Sequence, residues 1–311
     1  MKKAGIIWSV LLLFFFSCRK DAAIFPLENT RYLVVVIIDG PRYSETFGDS
    51  TLQNIPQLNR IRQEGVLYTN FRNTGVTATT SGHTSLLTGV DQVIDNSGNE
   101  LPDQVSFLQV YGKTYNDAKN VWLITSKDKL EVLANCKDPN WNNTYLPNTN
   151  CGVSGRFSGY REDSTTFRIA SEILRDKHPH VCFIQFKQPD AAGHAGIWQD
   201  YILGLKKSDE YTGLLYDQVM NDPFYKGKTA FIITSDHGRH LEPPYGAGFQ
   251  NHGDNCEGCR RISLIACGAD FRRNVIDTLA YSQRDFAVTV AHIFGLKMPA
   301  ANGNVMHSMF K

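Results

Sequence analysis

Apolar residues in this chain follow two rhythms. Near-continuous runs of six or seven residues, rich in β-branched side chains, stand at 32–38, 120–125, 180–186, 229–234 and 262–267. Runs without alternation suit strands buried on both faces, as in a parallel sheet covered by helices. Between them, apolar residues recur at three- and four-residue spacing over 54–63, 164–175 and 284–294, which predicts amphipathic helices. Strands alternating with helices predict an α/β chain with a mainly parallel central sheet and helices on both faces. No Pro-, Ser- or Gly-rich linker interrupts the pattern, so residues 31–311 are expected to form one domain.

The first residues follow a different logic. Lys2 and Lys3 precede an apolar run over 4–16, too short to span a bilayer comfortably. It closes on Phe15, Phe16, Ser17 and Cys18, which resembles the lipobox of bacterial lipoproteins although Phe15 stands where Leu is usual. That resemblance implies a signal peptide over 1–17, acylation of Cys18 and a short tether over 18–30. It also implies an exported, membrane-anchored protein facing the periplasm or the cell exterior. Six cysteines follow Cys18. In an oxidising compartment Cys136 with Cys151, and Cys256 with Cys259, are candidate disulfides. The CxxC of the second pair lacks the second pair of ligands that a structural zinc site needs, so that reading ranks lower.

Composition narrows the classes. Lys plus Arg number 32 against 31 for Asp plus Glu, which excludes a strongly basic surface, so no nucleic-acid partner is expected. With 42% hydrophobic residues, 18 Phe and 13 Tyr, a substantial core is available.

The chemistry gathers where the apolar runs end. The first run leads into Asp39 and Gly40, the third into Asp190 and His194, and the fourth into Asp236 and His237. His252 follows in a Gly-rich stretch. In parallel α/β sheets, ligands bind beyond the carboxyl ends of the strands. A strand-end Asp or His taken alone is as often a helix cap as a ligand. Six in this arrangement point to divalent metal, foremost Zn²⁺, with Mn²⁺ or Fe as alternatives, and two sites of three ligands each leave coordination open for substrate.

The same residues resemble the alkaline phosphatase superfamily, in particular its type I phosphodiesterase/nucleotide pyrophosphatase branch, from residue 33 to about 299. A strand-end Asp39 comes first, then Thr79 nine residues before the Thr of Leu86-Leu87-Thr88-Gly89. Asp190 with His194, Asp236-His237-Gly238 and His252-Gly253 follow in the family's order. The resemblance implies two divalent metal ions. Asp190, His194 and His252 would hold one, and Asp39, Asp236 and His237 the other, which would also touch Thr79. It implies Thr79 as a nucleophile that becomes phosphorylated and is then hydrolysed. Ser81 and Gly82 depart from the Pro-Asn common in the diesterases, and Thr at the nucleophile position disfavours a sulfatase.

Asn99, Lys127 and Lys129 resemble the phosphate clamp of Thr-dependent monoester phosphatases and of phosphonoacetate hydrolase. A monoester presents up to two charges and three non-bridging oxygens, so additional cations and an amide suit it better than a diester. The expectation is a phosphohydrolase acting on small phosphate monoesters. Diester or pyrophosphate hydrolysis, phosphonoacetate-type hydrolysis and a non-catalytic binding lipoprotein are the alternatives.

Overall fold

A computed structural model describes residues 26–242 and 247–311. The signal-peptide and Cys18 expectations, and most of the tether, lie outside the described residues. Among the described residues nine strands form one sheet: β1 (Tyr32–Asp39), β2 (Gly65–Arg72), β3 (Val121–Thr125), β4 (Asn148–Cys151), β5 (Val181–Pro189), β6 (Thr229–Thr234), β7 (Arg261–Cys267), β8 (Val275–Asp277) and β9 (Tyr281–Ser282). Their order is β4-β3-β5-β1-β6-β7-β2-β8, with β9 beside β2. The sheet is parallel except at β7, which runs antiparallel to both β6 and β2. An apolar run does not encode direction, so this reversal was not expected from the pattern.

β1 lies at the centre and shows why an unbroken apolar run is needed. Leu33, Val35 and Ile37 face one core layer, while Val34, Val36 and Ile38 face the other. Helices α2 (Thr79–Thr88), α3 (Phe107–Thr114) and α8 (Gln283–Phe294) cover the first layer through Leu86, Leu87, Phe107, Leu108, Phe286 and Val290. Helices α1 (Pro56–Ile61), α4 (Asp163–Lys177) and α6 (Trp198–Asn221) cover the second through Leu58, Ile61, Leu174, Leu205, Leu215 and Val219. Two short helices, α5 (Asp190–Ala195) and α7 (Glu257–Arg260), complete the set.

The strand ends on the site side are tied together by Asp163. Its carboxylate accepts from Ser126 Oγ (2.5 Å), Lys187 N (2.8 Å) and Gln188 N (3.0 Å), joining the turn after β3 to the end of β5. Among the described residues no helix is long and apolar enough to cross a membrane.

The cysteines after Cys18 are all free thiols in the structure, contrary to the disulfide expectation. Cys136 packs in the first core layer, and Cys151 Sγ lies 3.7 Å from Leu123 O. Both are thus satisfied as small buried hydrophobes.

Because Ile37 is fully buried in the central strand, Ile37→Ala should cost about 2–5 kcal/mol. A lowered urea midpoint with an unchanged m-value is the expected readout.

Candidate active site

Each expected ligand sits where an element starts or stops. Asp39 ends β1, Thr79 opens α2, Asp190 opens α5, and Asp236 with His237 follow β6. Gly40 has φ of +64°, and a Cβ there would meet the Asp190 side chain at 2.9 Å. Glycine after Asp39 therefore lets the β1 turn approach Asp190. Gly82 makes a second close approach: a Cβ there would stand 2.4 Å from the Asp236 carbonyl oxygen. The first turn of α2 thus rests directly on the backbone that carries Asp236 and His237.

The structure brings both expected trios together. His194 Nε2, His252 Nε2 and Asp190 Oδ1 form a triangle of 3.0, 3.3 and 3.4 Å. His237 Nε2 lies 3.6 Å from Asp39 Oδ1 and 3.3 Å from Asp236 Oδ2. His237 also stacks on His252 with centroids 3.8 Å apart, so the two trios share a wall. His194 is the outlier in exposure, at 48% of its side chain, whereas Asp39, Asp236 and His237 are fully buried.

Surrounding groups fix which atoms remain available. Asp236 Oδ1 accepts from Gly40 N (3.2 Å) and His237 N (3.0 Å). Asp39 Oδ2 accepts from Gln185 Nε2 at 2.8 Å. His237 Nδ1 lies 2.9 Å from Gly238 O, and His252 Nδ1 2.7 Å from Thr77 O, which orients each ring with Nε2 inward. Asp39 Oδ1, Asp236 Oδ2 and His237 Nε2 are buried with no hydrogen-bond partner. Convergent, partnerless polar atoms are costly unless something binds them. Two carboxylate oxygens and an imidazole nitrogen suit a divalent metal such as zinc.

Electrostatics give the same picture. Burial, then the neighbouring Asp236 carboxylate, push the Asp39 carboxyl up to about 7. Burial alone would also raise Asp190, but Lys127, His252, His237 and Arg239 together outweigh it and hold this group well below the usual carboxylate range. Burial pushes the His237 imidazole down to about 3, keeping it neutral and able to act as a donor.

Lys127 is buried and central. Its Nζ donates to Thr79 Oγ1 (3.1 Å) and Asp190 Oδ2 (2.6 Å), and lies 2.8 Å from Asp39 Oδ2. Burial opposes its charge, but the adjacent carboxylates hold its pKa above the ordinary lysine value. Lys129 lies farther out, where burial and then the Lys127 cation lower it to about 8.

The amide expected of Asn99 is displaced. Asn99 is exposed, and its Nδ2 donates to Ser97 Oγ at 2.6 Å, with no hydrogen bond to either lysine. Asn96 stands at the site instead: its Oδ1 accepts from Lys129 Nζ (2.9 Å), Thr80 N (3.0 Å) and Thr80 Oγ1 (2.9 Å). Both asparagines stand on a turn over 95–99 held by local Asp95–Ser97 hydrogen bonds.

Two further residues were missed in the sequence. His83, one turn after Thr79, is fully buried, with Nδ1 2.8 Å from Thr79 O and 3.4 Å from Asp236 Oδ2. Its i+4 spacing from Thr79 was the available signal. Arg239 is also fully buried; its Nη1 bonds Asp190 Oδ1, and its Nη2 donates to His194 Nδ1 (3.3 Å) and Gln250 O (2.7 Å). Gly193 makes room for it, since a Cβ there would meet the guanidinium at 2.8 Å.

This sheet and strand-end site define an alkaline phosphatase-like fold. The alkaline phosphatase PafA covers 92% of this chain and 100% of its own at a TM-score of 0.71 and 10% identity. Murine ectonucleotide pyrophosphatase/phosphodiesterase 5 covers 88% and 97% at a TM-score of 0.62 and 17% identity. The chain belongs to the type I phosphodiesterase/nucleotide pyrophosphatase family, whose profile matches residues 33–251. It is 26% identical over 223 residues to human bis(5'-adenosyl)-triphosphatase ENPP4, covering 66% of this chain and 47% of that protein. The orangutan counterpart is 26% identical over 198 residues, covering 59% and 43%. The chain thus spans less than half the length of these curated relatives.

Asp236→Ala and His194→Ala should each lower bound metal, read by elemental analysis of the purified protein. Gly82→Ala removes no chemical group but pushes α2 off the Asp236 backbone. A displacement of this kind is expected to lower kcat about a hundredfold while circular dichroism stays unchanged.

Proposed function

We propose that this chain is a metal-dependent phosphoric ester hydrolase that uses Thr79 as nucleophile and prefers small phosphate monoesters. The observation that carries the reading is the Lys127 ammonium placed on the Thr79 oxygen beside ligand atoms that have no other partner.

Divalent ions, zinc by the donor set, held by Asp190, His194 and His252 and by Asp39, Asp236 and His237, would supply Lewis acidity toward the Thr79 and phosphoryl oxygens. Lys127 donates to Thr79 Oγ1, so its charge favours loss of the hydroxyl proton. Thr79 Oγ1 then bonds to phosphorus as the ester P–O bond breaks and the departing alcohol takes up a proton. Water cleaves the phosphothreonine, returning the hydroxyl and releasing phosphate. Lys127 and Lys129 offer two cations for the non-bridging oxygens, and Asn96, rather than Asn99, orients the second of them.

Diester or pyrophosphate hydrolysis is the second reading, favoured by the family match and by the triphosphatase relatives. The clamp separates the two, because its effect grows with the charge on the phosphoryl group. We further infer export and anchoring through acylated Cys18, supported by the signal-like residues 1–18. The mass of the mature amino-terminal peptide tests this.

Thr79→Ala should abolish the acid-stable phosphoenzyme while retaining the fold and bound metal; phosphate trapped on another residue in the wild type would refute the nucleophile. Lys129→Ala should lower kcat/KM for a phosphate monoester by about thirty- to a thousandfold. A methyl phosphodiester should lose much less, and equal losses would favour the diesterase. Since Lys129 is held near 8, its charge is present below that pH and lost above it. Monoester kcat/KM should therefore fall above about pH 8. Lys129→Arg, which stays charged, should shift or remove that limb.

A further inference from the structure

A second cluster of metal-ligating side chains stands apart from the six residues above. His240, Asp254, Cys256 and Cys259 each present one donor atom, all within 4.8 Å of one another. In the sequence the CxxC looked short of partners. The structure supplies them from two turns of the segment between β6 and β7. The geometry points to a structural zinc site of the Cys₂HisAsp type, formed by these four residues and distinct from the candidate active site.

Three observations carry it. His240 Nε2 is a buried atom with no hydrogen-bond partner, although Asp254 Oδ2 lies only 3.2 Å away. The two atoms are close but not aligned as donor and acceptor. Ligands sharing a tetrahedral ion at bonds of about 2.0–2.2 Å stand about 3.3 Å apart, which matches this spacing. Second, the carboxylate is already aimed: Asp254 Oδ1 accepts from Cys256 N at 2.9 Å, leaving Oδ2 toward His240. Third, the backbone is built for the two turns to touch. Gly238 N donates to Cys259 O at 2.8 Å, and a Cβ on Gly238 would stand 2.1 Å from Gly258 O. A Cβ on Gly258 would stand 2.4 Å from Arg239 O.

A disulfide between Cys256 and Cys259 would explain the CxxC but not the gathering of His240 and Asp254 around it. Two soft thiolates favour zinc over magnesium or calcium, and four protein donors close the coordination shell as in structural sites. On binding, the two thiol protons pass to water and both sulfurs bond the ion as thiolates.

The site would brace the catalytic machinery from behind. Thr77 Oγ1 donates to Asp254 O at 2.7 Å, and Thr77 O is the partner of His252 Nδ1 at 2.7 Å. His240 N donates to Asn251 O at 3.0 Å, next to His252. An ion among the four residues would hold both the approach to Thr79 and the turn that presents His252.

Cobalt(II) distinguishes this site from the active site, whose expected ligands contain no sulfur. The cobalt-loaded full-length protein should show a near-ultraviolet thiolate-to-cobalt band. Cys256→Ser and Cys259→Ser should each abolish the band and lower zinc content by one equivalent. His194→Ala should retain the band, so a failed phosphohydrolase reading would leave this inference standing. Absence of the band from the wild type, or Cys256 and Cys259 found disulfide-linked by mass spectrometry, would overturn it. Unchanged zinc content in both serine variants would overturn it as well.

Discussion

Three carboxylates, Asp39, Asp190 and Asp236, are buried together at the carboxyl ends of the central strands, and the surrounding structure answers to that constraint. Like charges brought this close in a dry site repel strongly, so they persist only where cations and donors compensate them. Lys127 bridges Asp39 and Asp190, Arg239 supports Asp190, and backbone N–H groups hold Asp236. This compensation is incomplete, and the oxygens and nitrogen left over converge. What the fold leaves unsatisfied is a place for positive charge.

The sheet makes such an arrangement affordable. Its central strands are buried on both faces, so packing fixes the backbone ends that carry the carboxylates in one arrangement. Asp163 and the close contact at Gly82 carry that stiffness into the turns, where function needs it. Stability and chemistry therefore meet at the strand ends: the apolar runs set the frame, and the first residues beyond them set the charge.

Much of this was legible in the sequence. β1 was plain because every residue from Leu33 to Ile38 had to be apolar, and Asp39 stood out by breaking that rule. The direction of β7 was not legible, since periodicity carries no sense of direction. Helix α6 was hidden by polar residues on its buried side, among them Asp209, which accepts from Gln57 N and Leu58 N and so caps α1. A tertiary cap has no local pattern to read. The site divides in the same way. The expected ligands follow strand ends, but the placement of Asn96 beside Lys129, the buried Arg239 and the residues gathered around the CxxC depend on how turns fold back. Spacing along the chain does not encode that.

The reversal of β7 has a consequence for how such a fold tolerates change. Because β7 runs antiparallel to β6, the chain leaves the sheet and re-enters it at the same end of the strands. No crossover is required, so the length of the intervening segment is uncoupled from the register of the strands. That segment carries Asp236, His237 and His252 and adjoins the substrate side. Insertions within it can therefore reshape the surroundings of the candidate site without re-pairing a strand.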